Sequence, residues 1–111
     1  MSPSGPWSAG PENVDLDAAI GVMGNRSKLL ILRHLSEVSS AQWSDLERAT
    51  ELRKPTLTLN LRQLEEVGVI TSSIPPEADR RGRKITYTLS RERLQQLTQV
   101  WVDFVSGGRG L

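Results

Sequence analysis

The sequence predicts a mainly α-helical domain with one small β-hairpin, an α+β class of about five helices and two strands. Apolar residues recur at helical spacing through most of the 111-residue chain. The exception is the stretch from Val69 to Leu89, where two short β-prone runs flank the turn formers Pro75, Pro76 and Gly82. A long helix followed directly by a hairpin is therefore the distinctive part of this chain.

The helices begin and end at recognisable signals. Asn25 and Ser90 are good N-caps, and Gly68 is a natural residue just beyond a helix C-terminus. The second helix carries so wide an apolar face that we expect it at the centre of the core. We predict helices over Val14–Met23, Arg26–Val38, Trp43–Thr50, Lys54–Val67 and Arg91–Val105.

The fourth helix needs a separate argument, because the run from Thr56 to Leu61 alternates apolar and polar residues as a strand would. Pro55 suits the first turn of a helix, and Gly68 suits its end. The leucines and valine of this segment also follow helical spacing, at Leu57, Leu61, Leu64 and Val67. These signals favour a helix over a strand.

The hairpin is predicted from strands at Val69–Ile74 and Lys84–Leu89, joined by a long loop. Ser39 and Ser40 are predicted to form a turn between the second and third helices. A helix followed by a charged hairpin is typical of the DNA-reading half of a winged helix, so the chain is predicted to be a winged helix-turn-helix domain.

Composition sets the outer limits. The chain has no Cys, which excludes disulfides, thiolate metal sites and Cys nucleophiles. No apolar run approaches the ~20 residues of a membrane span, and the N-terminus lacks a signal-peptide pattern, so a cytoplasmic protein is expected. Residues 1–13 are predicted to be a disordered arm, residues 14–105 the folded domain with terminal dimerisation helices, and residues 106–111 a flexible tail.

Charge is informative through its distribution. The net charge of +1 is too small to imply a nucleic-acid partner by itself. Six cations nevertheless crowd one region against only Asp79 and Glu92, and a local patch is what phosphate binding needs. These cations are Arg80, Arg81, Arg83, Lys84, Arg91 and Arg93.

The order of elements from Gly24 to Val105 resembles the ArsR-type winged-helix repressors and their MarR-like relatives. The segment GNRSKLLILRHL from Gly24 looks like the opening helix of that family, and LERATEL from Leu46 looks like the first helix and turn of its helix-turn-helix. The run from Leu57 to Ile70 is similar to its recognition helix, and RRGR followed by YTL is similar to its wing. The resemblance implies a DNA-binding transcriptional regulator.

Two departures from that pattern matter. Thr58, Leu59 and Asn60 stand where the family often carries Ser-Arg-His, so an Arg at the central position cannot read bases. Arg53, which precedes the recognition helix, is not a capping residue, and a DNA phosphate is one candidate partner for the free N–H groups there.

The resemblance also raises metal sensing, which the residues argue against. Many relatives bind metal through a Cys pair in the third helix, where this chain has Gln42, Trp43 and Ser44. The last helix offers Asp103 but no His, and His34 is the only His in the chain. Because a metal site needs several converging ligands, we expect no metal or other cofactor.

Catalysis is not expected either. The chain has no motif for phosphate cradling or nucleophilic chemistry. Glu65 and Glu66 are neighbours on a helix and point in different directions, so they cannot share a site as a carboxylate pair.

The recognition helix and the wing are expected to bind double-stranded DNA, with the helix in the major groove and the wing on phosphates or in the minor groove. Asn60 would pair with adenine, and Lys54 or Arg62 with guanine or phosphate. The alternative is that Leu59 is a core residue and that Arg62 pairs with Glu66. The candidate DNA-binding residues are Arg53, Lys54, Thr56, Thr58, Leu59, Asn60, Arg62, Arg80, Arg81, Arg83 and Lys84.

The first and last helices are expected to form a homodimer, because one small core can hardly use both apolar faces. The candidate interface residues are Leu16, Ile20, Met23, Leu94, Leu97, Trp101 and Phe104. The leading hypothesis is therefore a dimeric repressor. A winged helix that binds another protein and a regulator that responds to a small molecule, held between the last helix and the core, remain alternatives.

Overall fold

A computed structural model of the chain describes residues 13–75 and 77–108. It contains five helices, α1 (Asn13–Met23), α2 (Arg26–Val38), α3 (Trp43–Thr50), α4 (Lys54–Glu66) and α5 (Arg91–Val105). It also contains three strands, β1 (Ser40–Gln42), β2 (Ile70–Ser72) and β3 (Thr86–Leu89). The winged helix-turn-helix prediction is confirmed. Almost all of the predicted arm and the last three residues of the predicted tail lie outside the described residues.

Local chemistry explains why the helix bounds agree with the sequence to within one residue. The Asn25 side chain accepts a hydrogen bond from the Lys28 amide at 2.9 Å, and the Ser90 hydroxyl accepts one from the Arg93 amide at 3.3 Å. Helix α1 begins at Asn13 rather than Val14, so this one residue of the predicted arm is helical. Such one-residue shifts are within the usual fraying of helix ends.

The sheet has three strands rather than the predicted two, in the order β1-β3-β2, all antiparallel. The predicted turn at Ser39 and Ser40 is wrong at Ser40, which pairs with Thr88 and shares a 2.9 Å hydroxyl contact with it. A strand of three residues is too short for its alternation to be visible in the sequence. Strands β2 and β3 are also shorter than predicted, so the loop between them is longer.

The core is formed by leucines, isoleucines and valines from all five helices and from the sheet. Leu35, Leu46, Leu57 and Leu64 are fully buried. Helix α2 contacts α1, α3, α4 and the strands β1 and β3, which confirms its central position, whereas α1 packs chiefly on α5. No helix among the described residues is long and apolar enough to cross a membrane.

Candidate nucleic-acid interface

Helix α4 is held by its buried face and by its C-terminus. Leu57, Leu61 and Leu64 are buried, as the stripe predicts. At the end of the helix Gly68 has φ +82°, its amide donates to Glu65 and the Val69 amide donates to Leu64, which is the Schellman arrangement. The helix is therefore fixed in rotation, and its other faces are fixed with it.

Two long cationic side chains complete this anchoring. Lys28 of α2 is 7% exposed, and its Nζ donates to the Gln63 side chain at 2.6 Å. Burial lowers the pKa of Lys28. Arg93 of α5 donates from Nε to the Val67 carbonyl at 2.8 Å and pairs with Asp15 of α1 at 3.0 Å. Arg93 thus joins the end of α4 to both terminal helices.

The exposed face of α4 carries most of the predicted readers. Arg53, Lys54, Thr58 and Arg62 are exposed, and Leu59 is 47% exposed, so the alternative of a core Leu59 is wrong. Thr56 is half-buried. No ion pair or side-chain hydrogen bond engages Lys54 or Arg62 among the described residues, and the alternative Arg62–Glu66 pair is not formed.

The structure contradicts the predicted role of Asn60 in reading bases. It is 5% exposed, and its side-chain amide donates to the Thr56 carbonyl one turn earlier at 2.8 Å. A side chain that reads adenine must project into the groove with both of its amide groups free. The Asn60 side-chain amide instead makes its hydrogen bond within the helix, so the prediction that Asn60 pairs with adenine is wrong.

The structure also contradicts the predicted DNA-binding role of Arg80, because this residue lies at the base of the wing and not on its outer surface. We use the term wing loop for residues 73–75 and 77–85. Arg80 binds Glu65 of α4 through two guanidinium nitrogens at 3.2 and 3.0 Å, and it also donates to the Ser72 hydroxyl and to the Ile74 carbonyl, both at 2.6 Å. The side chains of Arg80 and Glu65 are 24% and 8% exposed.

This arrangement, which we call the Arg80 clasp, ties the wing loop to the recognition helix. The hydrogen bonds to Glu65 raise the pKa of Arg80, so its charge is permanent. Because both terminal guanidinium nitrogens donate inside the protein and Nε is buried, Arg80 is not placed to bind a DNA phosphate. Sequence reasoning missed the clasp because the two partners are 15 residues apart and no pattern links them.

The wing tip, residues 81–84, is different. Arg81 is exposed and pairs with Asp79 at 3.2 Å, and these hydrogen bonds lower the pKa of Asp79. Arg83 and Lys84 are exposed, and their side chains make no hydrogen bond or ion pair within the described part of the chain. Gly82, between Arg81 and Arg83, has φ +69°, a backbone conformation that favours glycine. Two of the four predicted wing cations are therefore wholly available to a partner.

The exposed face of α4 and the wing loop share one groove. Its volume is about 830 Å³, and Thr58 and Arg62 of α4 line one side. The rest of the lining comes from Trp43, Glu65, Glu66, Ile70, Thr71, Ser72, Pro75, Arg80, Ile85 and Tyr87. Because Thr58 and Arg62 line the same groove as Pro75, Arg80 and Ile85, this part of the exposed face of α4 lies next to the wing loop.

The predicted dimer residues divide into two groups. Leu16 and Leu97 are 6% and 0% exposed within one chain, so the prediction that they contact a partner is wrong. Their side chains are used where α1 packs on α5. Ile20 and Phe104 are 45% and 41% exposed, and three further residues are half-buried, namely Met23, Leu94 and Trp101. An apolar strip therefore remains on these two helices.

The described residues contain no group of three or more His, Asp or Glu side chains that could hold a metal ion. His34 lies half-buried on α2 beside Asp45 and Arg48, on the side of a small second cavity of about 270 Å³.

Comparison with known proteins decides the family. A profile described as HxlR-like helix-turn-helix matches residues 22–106, which is most of the chain. The chain belongs to the HxlR-like helix-turn-helix family. Membership of this helix-turn-helix family, together with the similar fold of an ArsR family transcriptional regulator, supports a transcriptional regulator that binds double-stranded DNA. A comparison with curated proteins finds no significant match.

Several solved structures are similar in fold to this HxlR-like protein. A crystal structure of an ArsR family transcriptional regulator is 19% identical, covers 89% of this chain and 92% of its own, and has a TM-score of 0.65. Bordetella bronchiseptica BpsR is 17% identical over 90% and 83% of the two chains, with a TM-score of 0.55. NadR, solved with 4-hydroxyphenylacetate, is 16% identical over 86% and 71%, with a TM-score of 0.54. At these identities the similarity shows only a shared fold. The predicted resemblance to ArsR-type regulators is therefore confirmed for the winged-helix fold and not for the ArsR type itself.

Proposed function

We propose that this HxlR-like protein is a homodimeric repressor that binds a specific palindromic site in double-stranded DNA. One observation carries the proposal, namely that the exposed face of α4 and the wing loop border the same groove. A duplex presented to this side meets Lys54, Thr58, Leu59 and Arg62 together with the free cations of the wing tip. The helix is about 20 Å long by its residue count, which suits insertion of its first turns into a major groove.

The contacts divide by their chemistry. Lys54 and Arg62 offer charge-assisted hydrogen bonds to guanine or phosphate. Thr58 and Leu59 offer methyl groups, which favour thymine. Arg83 and Lys84 bind phosphates or the minor groove, and such contacts give affinity without sequence information. Since Asn60 is buried, adenine preference is no longer expected from that position.

The dimer is supported by the apolar strip on α1 and α5. Ile20 is the clearest member, because it is nearly half exposed beside the fully buried Ala19. A two-fold axis near these helices would place two copies of α4 on successive major grooves, roughly 34–36 Å apart. Ile20→Glu should convert the dimer to monomer in sedimentation equilibrium, whereas Asp17→Asn, on the same helix and exposed, should leave the dimer intact.

Selection of bound duplexes from a random pool tests the DNA proposal. We expect an enriched inverted repeat whose two halves are one helical turn apart. The selected duplex should then lower transcription from a promoter that overlaps it, since the bound dimer excludes polymerase. A pool that shows no enrichment after several rounds at low salt would contradict the proposal and would favour a winged helix that binds protein through Leu59.

A second candidate function, a regulator that responds to a small molecule, is favoured by the groove. Two of the similar structures are precedents: NadR was solved with 4-hydroxyphenylacetate, and DNA binding by BpsR is regulated by 6-hydroxynicotinic acid. In this chain the cavity of about 830 Å³ lies between α4 and the wing loop, which is a different place from the one predicted.

A further inference from the structure

The groove between α4 and the wing loop has the character of a ligand site as well as that of a DNA-facing surface. Trp43, Ile70, Pro75, Ile85 and Tyr87 supply apolar and aromatic walls. Walls that are mostly apolar, with a few polar groups among them, are typical of small-molecule sites. The volume of about 830 Å³ lies in the range of such sites.

The Tyr87 phenol is a second, independent observation that points to a ligand in the groove. It is only 4% exposed, yet its phenol makes no hydrogen bond to any described residue. The phenol oxygen is not among the fully enclosed unpaired atoms of the described chain, so it still opens to accessible space, and the groove is the space that Tyr87 lines. A buried hydroxyl of this kind normally has a partner. Burial raises the pKa of Tyr87, so the phenol is a neutral donor at physiological pH.

The other polar groups favour an acceptor on the ligand. Nε of Arg80 is buried and has no partner among the described residues. Arg62 at the rim is exposed and has no ion-pair partner there. The carboxylates on the lining are Glu65, which the Arg80 clasp neutralises, and Glu66, which is exposed and makes no ion pair with Arg62. Apart from Glu66 and the hydroxyls of Thr58 and Thr71, the unused polar groups of the lining are therefore donors.

We propose that this groove binds a planar aromatic carboxylate. The ring packs against the apolar wall formed by Trp43, Ile85 and Tyr87, and the carboxylate accepts hydrogen bonds from the Tyr87 phenol and from the Arg62 guanidinium, whose fork matches a carboxylate. This inference extends the proposed function, because Arg62 and Thr58 would then be covered. A ligand and a duplex that compete for one surface each weaken the binding of the other by the same factor.

Calorimetry on the DNA-free protein tests the ligand site separately from DNA binding. The probe is 2-naphthoate, compared with its cationic analogue 2-naphthylmethylammonium and with cyclohexanecarboxylate, which has no aromatic ring. We expect saturable binding of 2-naphthoate and at least tenfold weaker binding of the other two. No heat from 2-naphthoate at millimolar concentration, or equal binding of the cation, would overturn the proposal.

Two variants locate the site. Thr71 is an exposed residue of β2 on the groove lining, so Thr71→Glu brings a like charge beside the carboxylate, and Thr71→Gln is the neutral control of similar size. We expect Thr71→Glu to weaken 2-naphthoate binding about tenfold or more relative to Thr71→Gln. Tyr87→Phe keeps the buried ring and should weaken binding by about tenfold, as a lost hydrogen bond to a charged group does.

Arg33→Gln, at a distant exposed position, should bind the probe as wild type does. Equal affinities in Thr71→Glu and Thr71→Gln would place the probe elsewhere and overturn the proposal. Anisotropy without ligand reports DNA binding on its own, so a protein that binds DNA but not 2-naphthoate would refute the ligand site alone. Where both bind, 2-naphthoate should weaken the DNA complex of Thr71→Gln and have at least tenfold less effect on that of Thr71→Glu; equal effects would overturn the competition.

Discussion

At the base of the wing, the side chain of Arg80 is three-quarters buried, and its guanidinium donates hydrogen bonds to Glu65, Ser72 and Ile74. Three residues further along the same loop, Arg83 is exposed, and its side chain makes no hydrogen bond or ion pair within the described residues. One loop thus uses the same side chain in two ways. The comparison shows that a cluster of cations in a sequence overstates the charge available to DNA, because the fold itself consumes part of the cluster.

The largest expected effect comes from breaking the base of the wing. Arg80→Ala leaves the Glu65 carboxylate buried with only the Ser72 hydroxyl as partner, and losing one member of a buried pair should cost about 2–4 kcal/mol of unfolding free energy. Urea denaturation measures this loss. Arg81→Ala is the matched control, because its pair with Asp79 is exposed on both sides and should change stability by less than about 0.5 kcal/mol.

The double variant Arg80→Met with Glu65→Leu sharpens the same point. Removing both charges leaves no unpaired carboxylate, so the double variant should be more stable than Arg80→Ala. A double variant as unstable as Arg80→Ala would mean that the loss comes from packing around the clasp and not from an unpaired carboxylate.

The next largest effect is on the salt dependence of DNA affinity, which should distinguish the tip of the wing from its base. Each phosphate contact contributes about −0.9 to the slope of log affinity against log salt concentration. Arg83→Ala with Lys84→Ala should therefore make the slope shallower by roughly 1.8 and leave the free energy of unfolding unchanged. Fluorescence anisotropy over a salt series gives the slopes. The Arg80→Met, Glu65→Leu double variant should keep the wild-type slope, and a shallower slope there would mean that Arg80 contacts DNA.

The smallest effect concerns Lys28, which anchors α4 from beneath. Burial lowers its pKa from the ordinary value of 10.5, so the unfolded chain holds the Lys28 proton to higher pH than the folded chain does. The stability of wild type relative to Lys28→Met should accordingly rise as pH increases through the folded pKa toward 10.5. Paired denaturation curves from neutral to alkaline pH measure the trend. A difference that stays constant, or that falls with pH, would contradict it.

The sequence predicts the helices well because each has strong local signals, such as the Asn25 and Ser90 caps and the glycine after α4. The winged-helix class follows from their order. Strand β1 could not be predicted, since three residues carry no period and its pairing with β3 joins positions 44 to 48 residues apart along the chain. The partial failures in the site have the same origin. Arg80 is engaged by the distant Glu65, and the buried phenol of Tyr87 becomes meaningful only when α4 and the wing loop enclose a groove.

Asn60 shows a different limit. Its side chain is polar, and a polar residue on a predicted recognition helix is naturally assigned to DNA. Its position three residues after Leu57 and one before Leu61 nevertheless puts it at the edge of the buried face, where the Thr56 carbonyl satisfies its amide. Helical phase therefore carried the decisive information, and residue type alone was misleading.

The most direct test of the account is a map of backbone amide shifts in ¹⁵N-labelled protein on addition of the selected duplex. We predict that the largest shifts fall in residues 53–62 and 81–84, with much smaller shifts along α5. Shifts concentrated on α1 and α5, with α4 and the wing tip unchanged, would contradict the assignment of the DNA-binding surface.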